Sequence, residues 1–296
     1  MVWLPPPLRR RLDERDAFLW SQAFAAGQES VRAAQARDRY RFVLVVTFGR
    51  SGSTLVQGLL NALPRTLVRG ENNLFVLPIY RSLAAVREFR RLHLHHRTSN
   101  SASAFYGLNA IRRGPFLDAL NRVVVASVRG GLPANDFDVL GFKEVLWHRI
   151  EPEETEEFFT FLDQALPGVR YVLNTRDPAD ALKSGFWLRT DEERARSDIE
   201  RVLDIQQHLR ETRADRVFDV RYEELTDGGE GAERTLRGLA EFVTGEAPDE
   251  ATLAGMRELL SVGHGPRPFG KSHSGARGED DPEDDAEDDA VADADA

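Results

Sequence analysis

Apolar residues along the chain gather in short runs, separated by longer stretches in which they recur every three or four positions. The first run, Phe42-Val43-Leu44-Val45-Val46-Thr47, is continuous and β-branched, which predicts a strand buried on both faces of a parallel sheet. It ends at Gly49. Further strands are predicted over 139–142, 171–174 and 217–220, where similar short runs occur. Helical periodicity and composition between them predict helices over 53–63, 115–129, 153–166, 177–188, 193–213, 233–242 and 250–260. Residues 8–39 are mostly helix formers, with Leu12, Phe18, Leu19, Phe24 and Val31 roughly on one face, and predict an amphipathic entry helix. Residues 90–106, rich in His, Ser and Asn, read as a loop. Alternating strands and helices predict an α/β fold, a three-layer sandwich around a central, mostly parallel sheet.

Length and composition refine this picture. With 296 residues, 41% of them hydrophobic, the chain is long enough for one full-sized globular domain with a core. The formal net charge is −10, but residues 279–295 hold eleven carboxylates and no Lys or Arg, so residues 1–278 carry a net +1. Such a tail lacks the apolar surface needed to fold and reads as a disordered, solvating extension. The expected organisation is an N-terminal helical extension over 1–40, an α/β domain over 41–262, a basic loop over 263–278 and the acidic tail over 279–296. The absence of Cys excludes disulfides, thiolate catalysis and Cys-ligated zinc. The first eleven residues contain three Pro and three Arg and no apolar run of signal-peptide or membrane-span length, so a soluble, cytoplasmic protein is expected. A near-neutral body without interleaved basic and aromatic residues disfavours nucleic acid as a partner.

Candidate chemistry begins where the first strand ends. Thr47-Phe48-Gly49-Arg50-Ser51-Gly52-Ser53-Thr54 lies between that strand and a predicted helix. Gly49 and Gly52 let the backbone curl, successive N–H groups turn inward, and the helix N-terminus adds a positive dipole: a P-loop-like anion cradle. Ser51, Ser53 and Thr54 can add hydroxyl donors, and Arg50 can spread charge over terminal oxygens. The Walker A pattern does not fit, because its Lys is absent and the spacing is shorter. A plain strand-to-helix turn with a Ser N-cap is the bland alternative.

A second motif changes the balance. It is Tyr171-Val172-Leu173-Asn174-Thr175-Arg176-Asp177-Pro178, followed by Ser184, again at the end of an apparent strand. Pro178 suits the first turn of a helix, and Arg176 can fork two N–H bonds onto phosphate, or pair with Asp177 or Asp180 in a surface bridge. With both motifs in order, residues 42–242 resemble the family of sulfotransferases that use 3′-phosphoadenosine 5′-phosphosulfate (PAPS); the Arg in the loop is closer to the tyrosylprotein and bacterial branches than to the cytosolic small-molecule branch. The resemblance implies a sulfuryl transfer from PAPS to an acceptor hydroxyl or amine, leaving 3′-phosphoadenosine 5′-phosphate (PAP), with no metal required. It implies a 3′-phosphate clamp of Arg176 and Ser184, and nucleotide contacts from Gly49 to Thr54. Val220-Arg221-Tyr222-Glu223-Glu224-Leu225 resembles the segment beside the nucleotide, with Tyr222 on the adenine side or in the core. Gly141-Phe142-Lys143-Glu144 resembles a lysine-bearing strand end in bacterial members, so Arg50 and Lys143 are candidates for stabilising the transferring group. Arg69-Gly70-Glu71 resembles the Gly-Glu that supplies the base, which assigns that role to Glu71. A late basic segment closes over the 3′-phosphate in relatives, which points to Lys271 and Arg277. His93, His95 and His96 read as part of a substrate-side loop, with no metal site assigned. The acceptor, whether small molecule, carbohydrate, lipid or peptide, is not legible. A kinase-like phosphotransferase and a non-catalytic protein of the same fold are the competing functions.

Overall fold

The computed structural model describes residues 39–93, 98, 100–183, 187 and 189–261. The chain divides into two units, 1–263 and 264–296, and every described residue belongs to the first. The entry helix, except Arg39, the basic loop and the acidic tail lie outside the described residues, as do Ser184, His95, His96, Lys271 and Arg277.

Among the described residues five strands form one all-parallel sheet: β1 (Arg41–Val46), β2 (Thr66–Arg69), β3 (Val139–Glu144), β4 (Arg170–Thr175) and β5 (Val217–Arg221), in the order β2-β3-β1-β4-β5. Helices are α1 (Ser53–Asn61), α2 (Val76–His93), α3 (Gly114–Arg129), α4 (Thr155–Ala165), α5 (Pro178–Ala181), α6 (Glu192–Thr212), α7 (Tyr222–Thr226), α8 (Gly229–Thr244) and α9 (Glu250–Ser261). The period-2 alternation of β1 sends Phe42, Leu44 and Val46 into a core shared with α2, α3, α4 and α6, and Val43 and Val45 into a second core shared with α1, α8 and α9. That is the expected three-layer α/β sandwich. At Gly141 a Cβ would lie 1.9 Å from the carbonyl oxygen of Val43, so only glycine lets β3 lie against β1 there.

Several expected elements differ. Strand β2 escapes sequence patterning because it is four residues long at the sheet edge; the Asn61 side chain, donating to Val68 O at 2.9 Å and accepting from Val68 N at 2.8 Å, supplies the pairing a neighbouring strand would give. Helix α2 runs to His93, into the stretch read as loop, because Val76, Leu77, Tyr80 and Leu83 anchor its first half in the core. The helix expected over 177–188 is described only as α5, Pro178–Ala181.

Chain order reverses across the β1/β4 boundary: β1 leads toward β2 at one edge, and β4 leads toward β5 at the other. In such sheets the connections leave a crevice outside the carboxyl ends of the strands at this point. The amino-terminal edge is stapled instead. Arg213, only 4% exposed, donates to Asp163 at 2.8 Å and to Glu156 at 3.0 Å, while the Tyr171 hydroxyl donates to Asp163 at 2.8 Å. Arg41 and Arg170 donate to the carbonyls of Thr244 and Phe242 at the C-terminal end of α8, where cations oppose the helix dipole.

Arg213→Ala would remove one guanidinium partner of Asp163, leaving Arg216 at 3.1 Å, and is expected to cost about 1–3 kcal/mol in urea unfolding. The hydrogen bond from Arg213 is the largest cause holding the Glu156 pKa down, from 4.5 to about 2. A depressed carboxylate contributes stability above its unfolded value and loses it as the pH falls through its folded one. The unfolding midpoint should therefore fall between pH 4.5 and about 2, less steeply in Arg213→Ala; equal slopes would reject the linkage.

Candidate functional site

Residues 47–52 leave β1 and turn sharply into α1. Arg50, at φ 63°, and Gly52, at φ 81°, both take the left-handed conformation that curls the turn. The turn's root is buried polar chemistry. Thr47 donates to Asn174 O at 2.9 Å, Ser51 donates to Asn174 Oδ1 at 3.0 Å, and the two hydroxyls are 2.6 Å apart. Gln206, from α6, donates to Val46 O at 2.8 Å and to Asn174 O at 3.1 Å. All four side chains are fully buried. The Ser51 hydroxyl is thus turned into the protein, against Asn174 and Thr47.

Outward carbonyls of the loop are also occupied. Trp187 Nε1 donates to Gly49 O at 2.8 Å, and Arg176 donates to Arg50 O at 3.1 Å. The Arg176 guanidinium lies 4.6 Å over the Tyr222 ring. Tyr222 in turn presses on Gly52, where an added Cβ would meet the ring at 2.1 Å. The Asp177 side chain caps α5 at Ala179 N and Asp180 accepts from Lys183, each at 2.8 Å. Glu223 accepts from Asp177 N at 2.8 Å and ties the turn after β4 to the turn after β5. At the mouth, the N-cap residue of α1, Gly52, makes no side-chain capping bond and the first turn holds no acidic residue. Its opening N–H groups, which have no intrahelical carbonyl, form a positive, donor-rich end with Ser53 and Thr54 beside them.

A second group lies at the carboxyl ends of β2 and β3. Lys143, with 5% of its side chain exposed, donates to Glu71, which is about half exposed. Glu144 is fully buried; one carboxylate oxygen accepts from Asn72 N at 3.0 Å and Leu74 N at 2.8 Å, the other from Val145 N at 2.7 Å and Leu146 N at 3.1 Å. Asn73 and Leu74 are both left-handed, at φ 59° and 48°. On the turn Leu146–Arg149, burial pushes the His148 pKa down against the opposing pull of Asp198 at 3.9 Å.

Arg50, Gly52, Arg176 and Tyr222 are thus brought together at β1, β4 and β5, and Glu71 with Lys143 at β2 and β3, all on one edge of the sheet. Among the described residues no group of three or more His, Asp or Glu is gathered as a metal-ligand set, and no helix is long and apolar enough to cross a membrane. Asn174, Trp187, Gln206, Glu144 and Glu223 were not read as site residues. The available signal was a polar residue inside an apolar pattern, as at Asn174 and Gln206, or closing a buried strand, as at Glu144.

The model of the family described as "Sulfotransferase family" matches residues 43–246. Among solved structures, the chain is similar to the sulfotransferase domain from the Synechococcus PCC 7002 olefin synthase, with 21% identity, 76% of this chain and 80% of that chain covered, and a TM-score of 0.42. It is also similar to sulfotransferase STF9 from Mycobacterium avium, with 15% identity, 83% and 74% covered, and a TM-score of 0.43. No curated protein matches.

The contact between loop and aromatic ring is directly testable. Gly52→Ala is expected to cost about 1–2 kcal/mol from the left-handed backbone alone, and more from collision with Tyr222. In a Tyr222→Ala background only the backbone part should remain, as urea unfolding of the four chains would read out. Equal costs in both backgrounds would reject the close approach.

Proposed function

The chain belongs to the sulfotransferase family, and on that premise we propose that it binds PAPS at residues 47–54 and transfers the sulfuryl group to an acceptor hydroxyl or amine. The observation that carries this reading is the union of two phosphate motifs from distant parts of the sequence: Arg176, from the end of β4, donates to Arg50 O in the loop after β1. An uncapped helix N-terminus, Arg50 and Arg176 offer N–H donors and positive charge to one anionic nucleotide, which is the chemistry PAPS requires.

PAPS, when bound, supplies a sulfuryl group whose leaving group is a phosphate. The chain's own part is positioning and charge. The amides at the N-terminus of α1 hold the 5′-phosphate side, with Ser53 and Thr54 as additional donors and Ser51 contributing through its backbone. Arg176 holds the 3′-phosphate, a role the family resemblance shares with Ser184, and Tyr222 lies on the adenine side. Arg50 and Lys143 meet the oxygens whose charge changes during transfer. Glu71 accepts the acceptor's proton while the acceptor atom bonds to sulfur and the bond from sulfur to the phosphate oxygen opens. The acceptor is a small molecule, carbohydrate, lipid or peptide bearing that hydroxyl or amine.

Incubation of labelled PAPS with a panel of phenols, sugars, hydroxylated lipids and tyrosine peptides, followed by mass spectrometry, should yield a sulfated product. Binding without any product would favour the non-catalytic alternative. In calorimetry PAP should bind more tightly than AMP, and Arg176→Ala should weaken PAP by about 1.5–3 kcal/mol without unfolding the chain. Equal affinity for PAP and AMP would sink the clamp. Glu71→Gln should retain PAP affinity and lower turnover by about 10²–10⁴-fold; near-normal turnover would remove Glu71 as the base.

A further inference from the structure

We propose that Glu144 is a positioning residue for the transfer, fixing Glu71 by anchoring the backbone that follows it. This rests on the reading of Glu71 as the base. Residues 70–75 connect β2 to α2 and contain two consecutive non-glycine residues in the left-handed region, Asn73 and Leu74. Such backbone persists only where its surroundings over-determine it. Here Glu144 Oε2 accepts from both Asn72 N and Leu74 N, one on either side of Asn73. Its other oxygen accepts from Val145 N and Leu146 N, so the carboxylate is fixed by its own strand end and cannot follow the loop if the loop shifts. Leu74 is buried and Arg149 donates to Asn73 Oδ1 at 2.6 Å, closing the arrangement from two further sides.

The pleat of β3 explains why two adjacent residues serve one loop. Lys143 and Glu144 project to opposite faces; Lys143 holds the Glu71 carboxylate while Glu144 holds the amides just beyond it. The base is gripped by side chain and by backbone from a single rigid strand end. An isolated buried carboxylate would be costly, but four N–H donors satisfy this one. A displacement of about 1 Å at a catalytic group can cost 10²-fold in rate, which gives the anchor its functional weight.

Glu144→Asp tests this. One methylene shorter, Asp can still accept from Val145 N and Leu146 N in a local turn, but falls short of Asn72 and Leu74. Amide hydrogen exchange at Asn72 and Leu74 should accelerate about tenfold or more, with β1 and α1 unchanged. PAP release from PAPS in the presence of the acceptor panel should fall about 10²-fold, while PAP affinity stays at the parent value. Added to Glu71→Gln, the change should cause no further loss, because Glu144 acts through Glu71. Unchanged exchange, or losses that multiply in the double variant, would overturn the proposal. Retained turnover in Glu71→Gln would overturn it together with the base, a result distinct from an inactive Glu71→Gln beside an unimpaired Glu144→Asp. Should the aspartate variant not fold, Glu144→Gln, which turns an NH₂ toward two N–H donors, is read by the same criteria.

Discussion

A buried hydrogen-bond network of Thr47, Ser51, Asn174 and Gln206 holds the end of β1 against the end of β4, and the geometry of the site follows from it. Each member is fully buried, so a lost partner leaves a polar group unsatisfied at about 1–3 kcal/mol. With Thr47 and Ser51 both committed to Asn174, the turn between them is fixed at its start and at its fifth residue. Gln206 adds α6 to the knot by bridging Val46 O and Asn174 O. These bonds hold the loop in its sharp, left-handed turn into α1.

Around this knot, loop carbonyls are satisfied by side chains from other segments. Trp187 takes Gly49 O and Arg176 takes Arg50 O, while Tyr222 fills the space that a side chain at position 52 would need. The strand end of β3 plays the corresponding part on the other side of the crevice, with Lys143 and Glu144 straddling the loop that carries Glu71. The Arg213 cluster ties the amino ends of the strands, and the carboxyl ends carry the left-handed turns at Arg50, Asn73 and Leu74.

Much of this was legible in the chain. The buried run of β1, the glycine-containing turn after it and the Arg-Asp-Pro turn after Asn174 are local patterns; they predicted the α/β class that the parallel sheet displays and pointed to the loop after β1 and to Arg176 as candidates. Local patterns suffice there because a strand buried on both faces must be apolar throughout, and a turn with φ above zero favours glycine. The short edge strand β2 was missed because four residues carry no periodicity, and on the side away from β3 it is met by a side chain of α1 in place of a strand.

The partners, by contrast, were decided by tertiary structure. Nothing in the sequence distinguishes the Ser51 hydroxyl, which bonds inward to Asn174, from those of Ser53 and Thr54 at the start of α1. Lys143 and Glu71 were each named from motifs, yet their ion pair exists because parallel pairing sets Arg69, the end of β2, beside Phe142 of β3, which brings the chain just beyond β2 to the last two residues of β3. Glu144 read as the last letter of a strand motif; its four amide donors come from the strand's own turn and from a loop some seventy residues earlier. Composition and periodicity determine which faces must be buried, since burial of apolar surface depends on residue type alone. Which polar groups meet depends on strand order and register, and these are fixed only when the whole sheet assembles.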